Sequence, residues 1–161
     1  SEAMRDIFYA ANIYNKTEKR DSLSLDTEQA INETNDIKII GISLETRPDQ
    51  INKHELRRFR ELGCTRIQIG VQHTDDEILK IINRKHDVQC SVNAIKLMKD
   101  FGFKVDIHIM PDLPGATPEK DKAMFDEIFL TDKYKPDYVK IYPCLDVTYT
   151  EIRKWKEDGR W

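Results

Sequence analysis

Four short stretches of apolar residues, three of them alternating with polar ones, predict four β-strands. Residues 66–72 (RIQIGVQ), 104–110 (KVDIHIM) and 138–142 (YVKIY) alternate apolar with polar side chains. This period of two is typical of a strand with one buried face. The first strand of the series is predicted over residues 37–44, where the run IKIIGISL is mostly apolar. Three of these strands therefore keep one polar face.

Stretches with helical spacing separate the predicted strands. Residues 53–62 place Leu56, Phe59 and Leu62 on one side of a helix, and Gly63 is suited to end it. A chain in which strands and helices alternate has the pattern of an α/β fold. Further helices are predicted over residues 4–15, 26–35, 88–100 and 150–158.

Three helix starts carry capping signals. One helix is predicted to open at Thr74, because Glu77 follows three residues later in the pattern of a capping box. Asp87 is predicted to cap the next helix. Thr117 followed by Pro118 predicts a third start, since proline favours the first helical position. The buried stripe of that third helix is predicted to comprise Met124, Phe125, Ile128 and Phe129.

The alternation of strands and helices predicts a parallel sheet, either doubly wound or a segment of an α/β barrel. In both folds ligands bind at the carboxyl ends of the strands. All four predicted strands end in polar or proton-transferring groups, which is unexpected for ordinary solvent-exposed turns. We therefore expect a shared pocket lined by Glu45, Thr46, Arg47, Gln72, His73, His108, Asp112, Lys140 and Tyr142.

The composition narrows the class of protein. The chain has 161 residues, of which 39% are hydrophobic and 34% charged, and a net charge of −3. No apolar run approaches the ~20 residues that span a bilayer, so we expect no membrane partner. Three widely spaced cysteines, Cys64, Cys90 and Cys144, fit a reducing compartment, and we expect a cytoplasmic protein. Neither the cysteines nor the four histidines have the spacing of metal ligands.

Several motifs resemble those of the Elongator catalytic subunits, a family of radical-SAM enzymes that modify the wobble uridine of tRNA. The motifs are ETRPD (45–49), IGVQ (69–72), INRKH (82–86) and MPDLPG (110–115), in that order. The resemblance implies a partial (β/α) barrel of six units, of which residues 37–161 would supply about four, units three to six, after leading helices in residues 1–36. It also implies S-adenosylmethionine, a 4Fe–4S cluster, acetyl-CoA, tRNA and, as partners, other Elongator-like subunits.

The sequence departs from that family pattern in what it lacks. These 161 residues contain no three-cysteine cluster-binding loop and no Gly-Gly motif for the methionine amino group. They also contain no acetyltransferase domain. We therefore expect an inactive fragment of the core that does not ligate the cluster by itself. Two alternatives are a radical-SAM enzyme of the coproporphyrinogen-oxidase type, and a non-catalytic half-barrel that binds RNA or protein.

The resemblance assigns the cofactor residues. Glu45 and Gln72 would bind the ribose and methionine parts of S-adenosylmethionine, and the loop that begins at Met110 would approach the adenine. Arg84 would pair with the carboxylate, which a guanidinium matches with two hydrogen bonds. The alternatives are a helix-capping Glu45, a core Gln72, and a surface Arg84 at a helix end.

Candidate catalytic residues are His108, Lys140 and Tyr142. The alternation of the third strand turns Asp106 and His108 toward the polar face. His108 is also assigned to the cofactor site by the resemblance, although a lone histidine is often a core residue. Lys140 would serve a substrate derived from acetyl-CoA or bearing phosphate, or it would pair with Asp106.

A local cluster of basic residues is the candidate RNA-binding surface. Arg47 and Arg66 lie near predicted strand ends, where a nucleic acid entering the cleft would meet them. The resemblance places Lys85 near the mouth of the pocket, although Lys85 and His86 are expected to be solvated. The alternative is a solvated helix face, which is the expectation for Arg57, Arg58 and Arg60.

Overall fold

The structure, a computed structural model, describes residues 2–159 and contains one four-stranded parallel sheet. The strands are β1 (Ser43–Thr46), β2 (Arg66–Gln72), β3 (Lys104–Ile109) and β4 (Tyr138–Ile141). The helices are α1 (Glu2–Ile13), α2 (Leu25–Thr34), α3 (Lys53–Glu61), α4 (Asp76–Ile81), α5 (Val88–Asp100), α6 (Pro118–Leu130) and α7 (Glu151–Glu157). A short 3-10 helix, Pro48–Gln50, follows β1.

The order of the strands distinguishes the two architectures that the sequence left open. The order is β1-β2-β3-β4, and each neighbouring pair is parallel. Apolar side chains from α3, α5 and α6 join one core cluster with β2 and β3. A doubly wound sheet reverses its strand order and carries helices on both faces. Here the strands are in consecutive order and the helices pack into one core. This is the arrangement of a (β/α)-barrel segment, and it confirms the predicted partial barrel.

The core follows the predicted alternation of β2 and β3. Ile67 and Ile69 of β2, and Val105 and Ile107 of β3, are fully buried toward the helices. Burial of each such side chain is worth about 1.5–3 kcal/mol. Their polar neighbours along the same strands point to the opposite face. The sheet therefore has one apolar face, covered by helices, and one polar face.

The first strand begins later in the chain than the sequence predicted. Residues 37–44 were expected to form it, but β1 starts at Ser43. The apolar run before Ser43 is held by α2, where the Asn32 side chain accepts from the Ile39 N–H at 2.8 Å and donates to the Ile37 carbonyl at 2.9 Å. These backbone groups are thus satisfied by side chains. Glu45 consequently lies inside β1 and not in the turn after it.

Two further details differ from the sequence expectation. Asp75, and not Thr74, caps α4, and its side chain accepts from the backbone N–H groups of Glu77 and Ile78. On α6, Phe129 is 55% exposed, whereas Met124 and Ile128 are buried as predicted. The predicted caps Asp87 and Thr117 are confirmed by side-chain hydrogen bonds, and Thr150 caps α7 in the same way. Among residues 2–159, none of the helices combines the length and apolar character needed to traverse a bilayer.

Candidate active site

The polar face of the sheet gathers side chains from all four strands. Strand register places Glu45 beside Gln68, Gly70 beside His108, and His108 beside Lys140. Because the strands are parallel and in order, the carboxyl ends of β1, β2, β3 and β4 meet at one edge. Polar groups that are far apart in sequence therefore lie side by side.

A hydrogen-bond network connects the polar face around Gln68. The Lys140 Nζ donates to Gln68 Oε1 at 2.6 Å, and His108 Nε2 lies 3.1 Å from the same oxygen. The Gln68 Nε2 donates to Ser43 Oγ at 2.8 Å. His108 Nδ1 faces Glu45 Oε1 at 3.8 Å. The structure thus brings together the predicted residues Glu45, His108 and Lys140, through a glutamine that the sequence analysis did not single out.

Tyr142 joins this network at its outer end. It follows β4, and its backbone N–H donates to the Ile109 carbonyl at 3.1 Å. Its ring meets the His108 imidazole edge to face, with centroids 6.0 Å apart. The phenol is half exposed, so it borders the site from the solvent side. All three predicted catalytic residues are therefore neighbours.

The electrostatics of His108 reflect partial burial and two opposite charges. Burial lowers the pKa of His108; the nearby Glu45 carboxylate acts to raise it, and the Lys140 ammonium acts to lower it further. The net direction is downward, so the neutral imidazole is favoured. A neutral imidazole has one donor and one acceptor nitrogen, which suits it to proton transfer.

Arg84 packs its partly buried guanidinium against β2. Its Nη2 donates to the Gly70 carbonyl at 2.9 Å, while its Nε is buried without a hydrogen-bond partner among the described residues. Burial lowers the pKa of Arg84, and the charge of Arg47 lowers it further. The alternative of a surface arginine at a helix end describes Arg84 less well, because its guanidinium is partly buried. A buried guanidinium N–H without a partner costs free energy that an anionic ligand would recover.

Gly70 and Gln72 shape the backbone beside Arg84. A Cβ built on Gly70 would lie 2.6 Å from Gln72 Nε2 and 3.0 Å from Arg84 Nη2, so any side chain at position 70 would require both of these groups to shift. Gln72 has a φ of 70°, and the pairing with β3 shifts register between Gly70 and Gln72. Irregularities of this kind re-aim side chains next to binding sites. Gln72 therefore neighbours Arg84, as the cofactor assignment requires.

Met110 belongs to the rigid loop that follows β3. Its N–H donates to the Gln72 carbonyl at 2.8 Å, which ties the loop to the end of β2. A second connection was not predicted from the sequence. His73 is fully buried, and its Nε2 lies 3.2 Å from Asp121 Oδ1. The other carboxylate oxygen, Asp121 Oδ2, accepts from the Asp112 N–H at 2.9 Å. Two side chains thus hold the loop between β2 and α6.

The tautomer of His73 follows from its surroundings. Its Nδ1 accepts from the Asp75 N–H at 3.0 Å, so the ring proton must lie on Nε2 and point to Asp121. Burial lowers the pKa of His73, although Asp121 acts to raise it. The sequence placed His73 at a strand end; its structural role needs the burial and the distance to α6, which the sequence does not give.

The three candidate RNA-binding residues occupy different places. Arg47 is exposed at the end of β1 and forms a forked ion pair with Asp49, at 2.9 and 2.6 Å. Lys85 is exposed and donates to Asn83, whereas the neighbouring His86, expected to be solvated, is buried beneath the Val71 carbonyl. Arg47 and Lys85 therefore lie at the same end of the sheet as the candidate site.

Arg66 lies at the other end of the polar face. It is the first residue of β2, and its Nη1 contacts the buried Asp106 carboxylate at 2.6 Å. Its guanidinium also lies over the Tyr138 ring, 5.1 Å from the centroid. Asp106 therefore pairs with Arg66 and not with Lys140, which corrects one of the two interpretations of Lys140.

The described residues do not fit a 4Fe–4S cluster. Cys64 and Cys144 are buried, Cys90 is half-buried, and all three are free thiols. Burial raises the pKa of each of the three thiols, which disfavours the thiolate that binds metal. Across residues 2–159, no group of three or more His, Cys, Asp or Glu side chains is placed to hold a metal ion.

Comparisons with known proteins identify the family of this chain. Residues 13–128 match the family model of the Radical SAM superfamily. The chain is 45% identical over 139 residues to the tRNA uridine(34) acetyltransferase of Methanocaldococcus infernus, and 34% identical over 160 residues to the Elongator complex protein 3 of Danio rerio. These matches cover 86% and 99% of this chain, but the chain spans only 26% and 29% of those relatives.

Solved structures show the same fold. An archaeal Elp3 from Methanocaldococcus infernus, with an N-terminal deletion, superposes with a TM-score of 0.90 at 40% identity, over 98% of this chain and 36% of that one. The coproporphyrinogen III oxidase of Escherichia coli gives 0.61 at 21% identity, over 76% of this chain and 28% of that one. The second likeness is one of fold alone.

Proposed function

Because the chain belongs to the Radical SAM superfamily, we propose that it forms part of an enzyme that modifies uridine 34 of tRNA. One observation carries the proposal: the likeness to archaeal Elp3 covers 98% of the chain and therefore includes the carboxyl ends of the strands, where the polar groups meet. The relatives named as tRNA uridine(34) acetyltransferases support the same substrate class. We take residues 37–161 as β/α units three to six of the radical-SAM core. The whole protein would also need a cluster-binding loop, acetyl-CoA as co-substrate and, in Elongator-like assemblies, other subunits.

The cofactor fits the Arg84 side of the site. Arg84 offers an unpartnered buried Nε for the carboxylate of S-adenosylmethionine. Glu45 offers an exposed carboxylate for a ribose diol or an ammonium group, and Gln72 an amide that both donates and accepts. The loop from Met110 would contact the adenine through its backbone. Beside a cluster held by another part of the enzyme, S-adenosylmethionine would supply radical chemistry, and the residues named here would hold it in place.

The substrate fits the Lys140 side of the site. Lys140 donates to a neutral amide and forms no ion pair with any described residue, so its charge is free to hold an anionic group or a polarised carbonyl. His108 and Tyr142 lie beside it and are suited to move or hold a proton. We assign these three residues to the acetyl-derived substrate and the uracil ring.

Arg47 and Lys85 are proposed to contact tRNA phosphates at the rim. Both are exposed at the carboxyl end of the sheet. A phosphate would compete for Arg47 with the half-buried Asp49, whose pKa the forked guanidinium lowers to about 2. Arg66 is engaged by Asp106 at the amino end, so we do not assign it to the RNA.

Nuclear magnetic resonance of the 161-residue chain tests the cofactor assignment. On titration with S-adenosylmethionine, we expect amide shifts to concentrate at Gly70, Gln72 and Arg84. Arg84→Lys should weaken binding by about tenfold, since a point charge replaces a forked donor. Arg58→Lys, an exposed arginine on α3, is the matched control and should bind normally. Shifts confined to other regions, or equal affinity of both variants, would contradict the assignment.

A further inference from the structure

The orientation of the Gln68 amide follows from its partners. An ammonium group only donates hydrogen bonds, so the Gln68 atom 2.6 Å from Lys140 Nζ must be the carbonyl oxygen. The amide NH2 then points to Ser43 Oγ, 2.8 Å away. Gln68 is thereby held from both ends, by β1 and by β4.

The same oxygen determines the protonation of His108. His108 Nε2 lies 3.1 Å from Gln68 Oε1, and a carbonyl oxygen can only accept, so Nε2 carries a proton. In the neutral ring, Nδ1 is then the unprotonated nitrogen. It faces the Glu45 carboxylate at 3.8 Å, which is too long for a direct hydrogen bond. Nδ1 is therefore the atom at which His108 gains and loses its proton.

We infer that Gln68 is a positioning residue that couples Lys140 to His108 by receiving both donors on one carbonyl oxygen. No described contact other than this oxygen holds the Lys140 ammonium next to the imidazole. Without Gln68, the flexible lysine side chain would move into solvent, and its influence on His108 would fall with distance.

A neutral residue is required at position 68. Gln68 lies between Glu45 on β1 and Asp106 on β3 in the strand register. A carboxylate there would add a third negative charge, neutralise Lys140 and favour protonation of His108. The Gln68 amide accepts from both donors and leaves the charge of Lys140 uncancelled. Its value for catalysis rests on the proposed function, but the coupling itself does not.

The titration of His108 in the 161-residue chain tests the coupling without cofactor or RNA. We would follow the histidine ring signals against pH by nuclear magnetic resonance. Lys140→Met should raise the titration midpoint of His108 by about half a pH unit, because the positive charge that shares the Gln68 oxygen with the imidazole is removed. In a Gln68→Met background, the same Lys140→Met change should move the midpoint by less than about a tenth of a pH unit, since the lysine is already released.

Two further variants complete the test. Gln68→Glu should raise the His108 midpoint by about one pH unit. Gln89→Met, on the exposed face of α5, is the matched control and should leave it unchanged. The signals of His73 and His86 serve as internal references in every variant.

The inference is overturned by either of two results. One is a Lys140→Met shift of equal size with and without Gln68, and the other is no shift when Gln68 is present. Because S-adenosylmethionine takes no part, failure here leaves the proposed function standing, and failure of cofactor binding leaves the coupling standing.

Discussion

At the amino end of the polar face, Arg66 and Asp106 form a direct ion pair, whereas at the carboxyl end Lys140 donates only to the amide of Gln68. At each end, a long cationic side chain lies on the polar face of the sheet. In the first case the charge is cancelled by a buried carboxylate, and in the second it is held in place and left uncompensated. Position along parallel strands thus separates a stabilising contact from a candidate active site.

The largest expected effect is the loss of stability when the Arg66–Asp106 ion pair is broken. Asp106→Ala should lower the free energy of unfolding by about 2 kcal/mol, the scale of a hydrogen bond to a charged group. Lys140→Met should lower it by less, about 0.5 kcal/mol, because the Gln68 oxygen keeps the His108 donor after the lysine is removed. Urea unfolding at constant pH measures both. Equal losses would mean that the two ends do not differ as described.

A smaller effect is expected where the loop after β3 is held in place. In Asp121→Asn, the new NH2 group must face either the protonated Nε2 of His73 or the Asp112 N–H. Because both of these groups are donors, one of the two hydrogen bonds is lost. The expected cost is about 1–2 kcal/mol. Hydrogen exchange at the Asp112 amide should accelerate. Asp126→Asn, exposed on the same helix, is the control and should alter neither quantity.

The fold was predictable where burial alternates along one strand. Val105, Ile107 and Ile109 showed the buried face of β3, and with it the direction of His108, from the sequence alone. Residues 37–42 misled, because an apolar run does not reveal that Asn32 would take its hydrogen bonds. Whether a strand forms depends on partners that are distant in the chain.

The candidate site was predictable in its members but not in its connections. Gln68 alternates with Ile67 and Ile69, so the pattern did place it on the polar face, yet nothing marked it as the shared acceptor. Likewise, the sequence offered Lys140 as the partner of Asp106, and only the packed geometry shows that Arg66 takes this place. Pairing on a sheet face depends on side-chain direction across strands, which sequence spacing does not fix.

A third prediction concerns the tight packing at Gly70. Gly70→Ala should cost less than about 1 kcal/mol, because the atoms that its Cβ would meet are the ends of flexible side chains. It should nevertheless displace the Gln72 amide, shift the Arg84 guanidinium slightly, and reduce the chemical-shift changes that S-adenosylmethionine induces at Gln72 and Arg84. Gly41→Ala, whose Cβ would meet only Thr65 Oγ1 at 3.1 Å, is the control. Retained cofactor shifts in Gly70→Ala would show that Arg84 need not lie against β2.

The smallest expected effect separates the two ends of the sheet by their contact with RNA. Arg47→Gln should weaken binding of an anticodon stem-loop a few-fold and reduce the slope of log K against log salt by somewhat less than one, as expected for one lost phosphate contact. Arg66→Gln should leave both quantities unchanged, because Asp106 already occupies that guanidinium at the far end of β2. Arg58→Gln, exposed on α3, is the matched control. Fluorescence anisotropy over a range of salt concentrations measures all three. A loss on Arg66→Gln equal to that on Arg47→Gln would mean that RNA reaches the amino end of the strands, and the division of the polar face into a stabilising and a binding half would then fail.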